Sequence, residues 1–229
     1  MRNSDADLVR ALPLFRDMTA THFETLMAAA LLQRFPQHVA LIQEGDTPDF
    51  LHILVEGTVE LFATWDGQET TIDILRPVTT FILAAVIRDA VHLTSARTIT
   101  TSRVLMIPAQ TVRDVFGQDA AFARAIVNDL AERYRSGVRI LKDQKLRNGT
   151  ERLANWILRE DHRQGGGGRV VLAHDKRTLS SLLGMTPENL SRNLAGLLAH
   201  GVTSGGREIV IADREALRQW AKPGPLLDE

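Results

Sequence analysis

The spacing of apolar residues changes character along the chain, and each change predicts a different kind of element. Between residues 5 and 32, Leu8, Leu12, Phe15, Phe23, Leu26 and Met27 recur near the helical period with Pro13 as a break, so short helices are expected. From about Leu32 the period shortens. The stretches 38–43, 50–56, 58–65, 69–75 and 98–107 are rich in Val, Ile, Leu and Thr, and Gly45-Asp46, Gly57, Asp66-Gly67 and Pro77 punctuate them. Many short strands at such spacing point to an all-β barrel or sandwich. Residues 119–146 then hold no proline and a single glycine, which predicts one helix of about 28 residues, roughly 40 Å long. Within it Val127, Tyr134 and Leu141 fall seven apart, with Leu130, Ala131 and Val138 beside them. That stripe has the form of a coiled-coil seam and calls for a partner helix, unless it covers the chain's own β domain.

A second helix is expected over 150–160, with Leu153, Trp156 and Ile157 on one face, ended by the run Gly165–Gly168. Four consecutive glycines could cradle a phosphate, but no Lys-Ser/Thr follows them and no strand-to-helix turn frames them, so a hairpin or linker is the better reading.

Residues 175–200, DKRTLSSLLGMTPENLSRNLAGLLAH, carry the most information. They read as two helices around a tight turn. Asp175 can cap the first, Leu179, Leu182 and Leu183 form its buried side, and Gly184 gives the turn its backbone freedom. Thr186-Pro187 restarts a helix with threonine as the cap and proline at the first position. Leu190, Leu194, Leu197 and Leu198 make its inward stripe, while Glu188, Ser191, Arg192 and Ala195 face outward. A carboxylate, a hydroxyl and a guanidinium on the first exposed turns suit a recognition helix: Arg reads guanine O6 and N7, Glu accepts from cytosine N4, and Ser bonds either. Lys176 would lie near a phosphate. Thr186, Asn189 and Arg207 complete the candidate DNA contacts. A short strand at 169–172 and a hairpin over 201–212, with Gly205-Gly206 at its tip, supply a wing. The plainer alternative is a helical hairpin with a solvated polar face.

Charge first argues against this. The 229 residues carry 27 basic and 28 acidic groups, a net of −1, without the basic excess of a nucleic-acid binder. Counted by segment, residues 1–118 carry −5, 119–146 carry +2 and 147–229 carry +2. The acidic half conceals a mildly basic remainder. With no cysteine, disulfides, thiolate metal sites, cysteine nucleophiles and cysteine-ligated iron–sulfur clusters are excluded. No Ser/His/Asp order, metal-ligand spacing or nucleotide loop marks an enzyme or a metal site. The first residues lack a signal-peptide core and no apolar run spans a bilayer, so a cytoplasmic protein without membrane attachment is expected.

Taken together, and most specifically through Leu183–Arg192 (LGMTPENLSR), the chain resembles a Crp/Fnr-superfamily transcriptional regulator, and within it the FtrB-type and dissimilative nitrate respiration regulator-like members. The resemblance covers nearly the whole chain. It implies an α+β fold: a cyclic-nucleotide-binding-type β-roll sensor over 1–118, a dimerisation helix over 119–146 with Val127, Leu130, Tyr134, Val138 and Leu141 at the interface, and a winged helix-turn-helix over 147–229. It further implies a homodimer that activates transcription, contacts RNA polymerase, and reads a TTGA-type palindrome through Glu188, Ser191 and Arg192.

The sensor departs from its relatives. Members that bind cyclic AMP use a Gly-Glu-Leu run and an Arg-Ser or Arg-Thr pair. Here those stretches read Phe81-Ile82-Leu83-Ala84-Ala85 and Thr94-Ser95-Ala96. Only Arg88 or Arg97 could replace the missing cation, and a buried phosphate without one is costly, so cyclic-nucleotide sensing is not expected. Phe81, Ile82, Leu83, Thr94 and Ser95 instead outline an apolar effector pocket or a repacked roll that senses nothing. Haem stays open by analogy, with His22, His38, His52, His92 and Met106 as conceivable ligands, and would make the chain a gas sensor. A further alternative is a ligand-binding module whose helical tail binds protein rather than DNA.

Overall fold

The computed structural model describes residues 3–228. The chain folds as two compact units, one up to Arg133 and one from Tyr134.

The first unit opens with α1 (Asn3–Arg10), α2 (Pro13–Arg16) and α3 (Ala20–Ala29). The roll follows as β1 (Leu31–Phe35), β2 (Ala40–Ile42), β3 (Phe50–Glu56), β4 (Val59–Trp65), β5 (Gln68–Leu75) and β6 (Thr79–Phe81). A short α4 (Leu83–Arg88) precedes β7 (Ser95–Thr98) and β8 (Ser102–Pro108). Two four-stranded antiparallel sheets result, in the orders β1-β8-β3-β6 and β2-β7-β4-β5. The apolar stretch expected over 98–107 is therefore two strands in different sheets, broken at 99–101. α5 (Ala109–Gln118), which the sequence pattern does not announce, leads into α6 (Ala120–Leu146).

Alternation along β3 and β8 sorts the core into two layers, because successive side chains point to opposite faces. Leu51, Ile53, Val55, Leu105 and Ile107 pack with Phe15, Leu26, Val112 and Phe122 of the helices. Leu54, Val104 and the partly buried Met106 face the interior of the roll with Ile42, Val59, Phe81 and Ala96. Gly57 between β3 and β4 has φ +94°, and a Cβ there would meet Ser102 Oγ at 2.4 Å and the Thr101 carbonyl at 2.6 Å, so only glycine fits.

Asp119 ties the start of α6 to the N-terminal helices. Its carboxylate accepts the Phe122 N–H at 2.9 Å, the Thr19 N–H at 2.9 Å, the Thr19 hydroxyl at 3.0 Å and a hydrogen bond from the His22 ring at 3.0 Å. Burial alone would raise its pKa, but these donors outweigh it and hold the carboxyl far below the usual range. A carboxyl depressed on folding stabilises above its unfolded pKa, about 3.9, and that contribution disappears as pH falls through the folded value. Asp119→Asn is therefore expected to cost about 2 kcal/mol at pH 7, with the deficit shrinking below pH ~4. Urea melts at pH 7 and 3 check this, and an equal deficit at both would contradict it.

In the second unit the remainder of α6 is followed by α7 (Gly149–Arg163), β9 (Arg169–Val171), α8 (Lys176–Leu182), α9 (Pro187–Gly196), a 3₁₀ turn (Leu197–His200), β10 (Val202–Gly205), β11 (Glu208–Ile211), α10 (Arg214–Ala221) and α11 (Pro225–Asp228). β9 joins the β10–β11 hairpin in a three-stranded sheet. Leu153, Ile157, Val170, Leu179, Leu190, Leu197, Ile209 and Leu217 close one core. α7 runs three residues beyond Glu160, and the glycine run after it is a stitched turn. Asp161, wholly buried, accepts the Gly168 N–H at 2.7 Å, its carbonyl accepts the Gly166 N–H at 2.8 Å, and the Gln164 amide pairs with both backbone groups of Val171. Gly165, Gly166 and Gly168 all have positive φ.

Candidate nucleic-acid interface

The two central helices begin as their sequence dictates. The Asp175 carboxylate accepts the Thr178 N–H at 2.8 Å, and the Thr186 hydroxyl accepts the Asn189 N–H at 3.3 Å, with Pro187 at the first helical turn. Between them Gly184 takes the left-handed region at φ +62°, and a Cβ there would lie 2.7 Å from the Gln144 amide. Leu190, Leu194 and Leu197 turn inward. Leu198 does not: it is 62% exposed, because α9 ends at Gly196 and the tighter 3₁₀ winding of Leu197–His200 moves it out of the inward row.

The outward face of α9 holds Glu188, Ser191, Arg192 and Ala195, all exposed. The Glu188 backbone N–H and the Thr186 hydroxyl, with Arg192 nearby, hold the Glu188 carboxyl below its ordinary range, so it is an acceptor at neutral pH. Ser191 donates to the Pro187 carbonyl at 3.0 Å, which leaves its lone pairs outward. Arg192 bonds the Asn189 side-chain oxygen, so Asn189 braces the guanidinium. Lys176 and Ser191 line one groove of about 390 Å³ with Ala195, Thr203 and Ser204, where the starts of α8 and β10 flank α9. Arg207 stands exposed on the wing. Its tip is Gly206-Arg207, one residue later than the glycine pair suggests, because Gly205 pairs with Glu208.

One organising residue escapes sequence reasoning. Arg152 of α7 is buried, and its guanidinium donates to the carbonyls of Leu183 at 3.0 Å, Gly184 at 3.3 Å and Arg147 at 2.7 Å. It thereby fixes the turn between α8 and α9 against α7. Thr150 adds a second tie, its hydroxyl donating to Asn193 Oδ1 at 2.9 Å. A cation beside an apolar helical stripe ordinarily reads as solvated, and only the turn's unpaired carbonyls reveal its task.

Comparison with known proteins adds what geometry alone does not. The cyclic nucleotide-binding domain model matches residues 32–119, and the Crp-like helix-turn-helix domain model matches residues 151–220. The fumarate and nitrate reduction regulatory protein of Yersinia pestis is 27% identical over 201 residues, covering 82% of this chain and 78% of that protein. The chain belongs to the Crp/Fnr family. It is a transcription regulator with an effector-binding and a DNA-binding domain, in a family of regulators rather than enzymes. Among solved structures, FixK2 from Bradyrhizobium japonicum superposes with a TM-score of 0.73 at 23% identity, covering 83% of this chain and 96% of that one. The c-di-GMP responsive global regulator CLP of Xanthomonas campestris gives 0.67 at 20%, covering 84% and 99%. These two likenesses show the shared fold.

Crp/Fnr regulators bind DNA and are typically dimeric. In this member α6 exposes Val127, Tyr134, Val138 and Leu141, Tyr134 to 75%, while Leu130 packs partly against the core of the first unit. Among the described residues no helix is long and apolar enough to cross a membrane.

In the effector-binding domain, Arg97 is occupied. Its guanidinium lies 2.8 Å from Glu60 and 2.9 Å from Glu69 and stacks 4.2 Å over the Phe62 ring. Arg88 is exposed at the end of α4. The five pocket candidates sit in different surroundings. Phe81 and the partly buried Ile82 belong to the roll interior, Leu83 packs with the helices, Ser95 accepts the Glu44 N–H at 2.9 Å, and Thr94 is half-buried. Of the histidines, His22 bonds Asp119, His38 is exposed, and His52 and His92 are buried.

Proposed function

We propose that this Crp/Fnr regulator acts as a homodimeric activator that reads a TTGA-type palindrome through Glu188, Ser191 and Arg192, and that its signal is not a cyclic nucleotide. The reading divides the chain into a sensor over 1–118, a dimerisation helix over 119–146 and a winged DNA-binding domain over 147–229. The observation that carries it is the single exposed face of α9, where an ionised Glu188, the Ser191 hydroxyl and a braced Arg192 stand together with Lys176 beside them. The family's Glu-x-x-Ser-Arg pattern implies TTGA-like half-sites, and two-fold symmetry sets them about one helical turn apart. The exposed stripe on α6 supports the dimer, and activation with RNA polymerase contact follows from the family. Against a cyclic nucleotide stand the missing glutamate near Leu83-Ala84 and the engagement of Arg97 with two carboxylates. Calorimetric titration with cyclic AMP and cyclic GMP is expected to be flat.

Fluorescence anisotropy on TTGA-type and scrambled duplexes over a salt series tests the contacts. Arg192→Ala is expected to lose about 1–3 kcal/mol at the cognate site and to relax discrimination at one base pair, whereas Lys176→Ala weakens all sequences alike and lowers the salt slope by about one. Equal losses on cognate and scrambled DNA for Arg192→Ala would remove that side chain from base reading.

A further inference from the structure

The roll interior ends in a cavity of about 520 Å³ whose lining includes His52, His92, Met106, Phe50, Asp46 and Asp49. Two of its side chains are out of place in an ordinary core. His52 and His92 are both more than nine-tenths buried, and the Nδ1 atom of each is buried with no hydrogen-bond partner. Buried polar atoms are almost always paired, and of these two rings only His52 has a backbone carbonyl, that of Phe50, within reach, so two imidazoles short of partners on one cavity point to a ligand.

Strand register brings in a third donor. His52 on β3 is directly opposite Met106 on β8, so the two side chains share one sheet face with Cβ atoms about 5 Å apart. His92 is held at the same cavity by its backbone, whose N–H donates to the Asp46 carbonyl at 2.9 Å and whose carbonyl accepts the Gly45 N–H at 2.9 Å. Aromatic rings shield the site: Phe81 lies 5.2 Å and Phe50 6.4 Å from the His52 ring.

We propose that His52, His92 and Met106 form a binding site for a soft monovalent transition metal, of which Cu(I) is the type. Two imidazoles and a thioether are a donor set that suits copper in its reduced state. Zinc would draw on a further nitrogen, thiolate or carboxylate, yet among the described residues no three His, Cys, Asp or Glu side chains lie close enough to hold a metal. Metal ligation needs neutral imidazole, and the site supplies it. Burial, reinforced by His92 and opposed by the Phe50 carbonyl, lowers the His52 pKa to about 4. Burial also lowers that of His92, against the pull of Asp46 and Asp49. Both imidazoles are therefore neutral at neutral pH, each with one nitrogen lone pair to give.

The test uses the full chain, stripped of metal with a chelator and titrated anaerobically with Cu(I) against a chromophoric Cu(I) chelator. One equivalent per chain is expected to bind, with sulfur scattering in the copper-edge absorption spectrum. Met106→Leu conserves volume and spares the fold; it is expected to remove the sulfur signal and to weaken Cu(I) at least about tenfold, the scale on which even outer-shell changes act. His92→Gln is expected to lower affinity further, with thermal melting confirming that each variant folds. Three results would overturn the site: no binding by the intact chain, binding unchanged in Met106→Leu and His92→Gln, or single-site Zn(II) binding in preference to Cu(I). None of these outcomes depends on the DNA-reading face, so the site stands or falls separately.

Discussion

Tyr134→Glu combined with Leu141→Glu is expected to convert the protein from dimer to monomer in sedimentation and to lower its affinity for a two-half-site duplex by about 10²–10⁴-fold, the gain that linking two binding modules provides. Both side chains are exposed on the single chain, Tyr134 to 75% and Leu141 to 55%, so glutamate there disturbs little within one chain. In a two-fold seam each new carboxylate would be desolvated against a copy of itself, and two unpaired charges at an apolar interface are costly. The measurement separates assembly from folding: the melting temperature of the monomer should stay close to that of dilute wild type, while binding to an isolated half-site changes little. An unaltered sedimentation profile would refute the seam.

Arg152→Met is expected to destabilise the winged domain by about 2–4 kcal/mol, since the buried Leu183 carbonyl loses its partner and two partly buried carbonyls, of Arg147 and Gly184, lose charge-assisted donors. Arg152→Lys should recover only part of this, because a point ammonium cannot reproduce a planar fork that serves three oxygens. Denaturant melts monitored by tryptophan fluorescence provide the readout, as Trp156 and Trp220 pack against that core. A loss below 0.5 kcal/mol, the ordinary range for surface substitutions, would show that the turn holds itself. DNA affinity should fall in step with the folded fraction, whereas Arg192→Ala is expected to leave folding intact and to lower affinity for the cognate site alone.

Sequence alone reveals what local physics determines. The caps at Asp175 and Thr186, the left-handed turn at Gly184 and the outward set on α9 each depend on a few neighbouring residues, and all were legible in 175–200. The strands were legible as a class, because β-branched residues and turn signals repeat, although the break of 98–107 into two sheets was not. What stayed hidden depends on partners far along the chain. Arg152 meets a turn thirty residues away, Arg97 is claimed by carboxylates on two other strands, and His52 faces Met106 only through strand register. Leu198 shows the finer limit: an α-helical count places it inward, and one change of winding after Gly196 turns it to solvent.

The stitched glycine run has a practical meaning for taking the molecule apart. Four glycines in sequence look like the natural place to cut, to insert a reporter or to lengthen a spacer. Here the run is a fastener. Gly168 donates to the Asp161 carboxylate, its carbonyl accepts the Ile211 N–H at 2.8 Å, and a Cβ on it would lie 2.9 Å from the Ile211 carbonyl. Its N–H is committed to α7 and its carbonyl to β11 rather than offered to solvent, so a protease would find little purchase at Gly168 and a sequence inserted there would pull α7 and β11 apart.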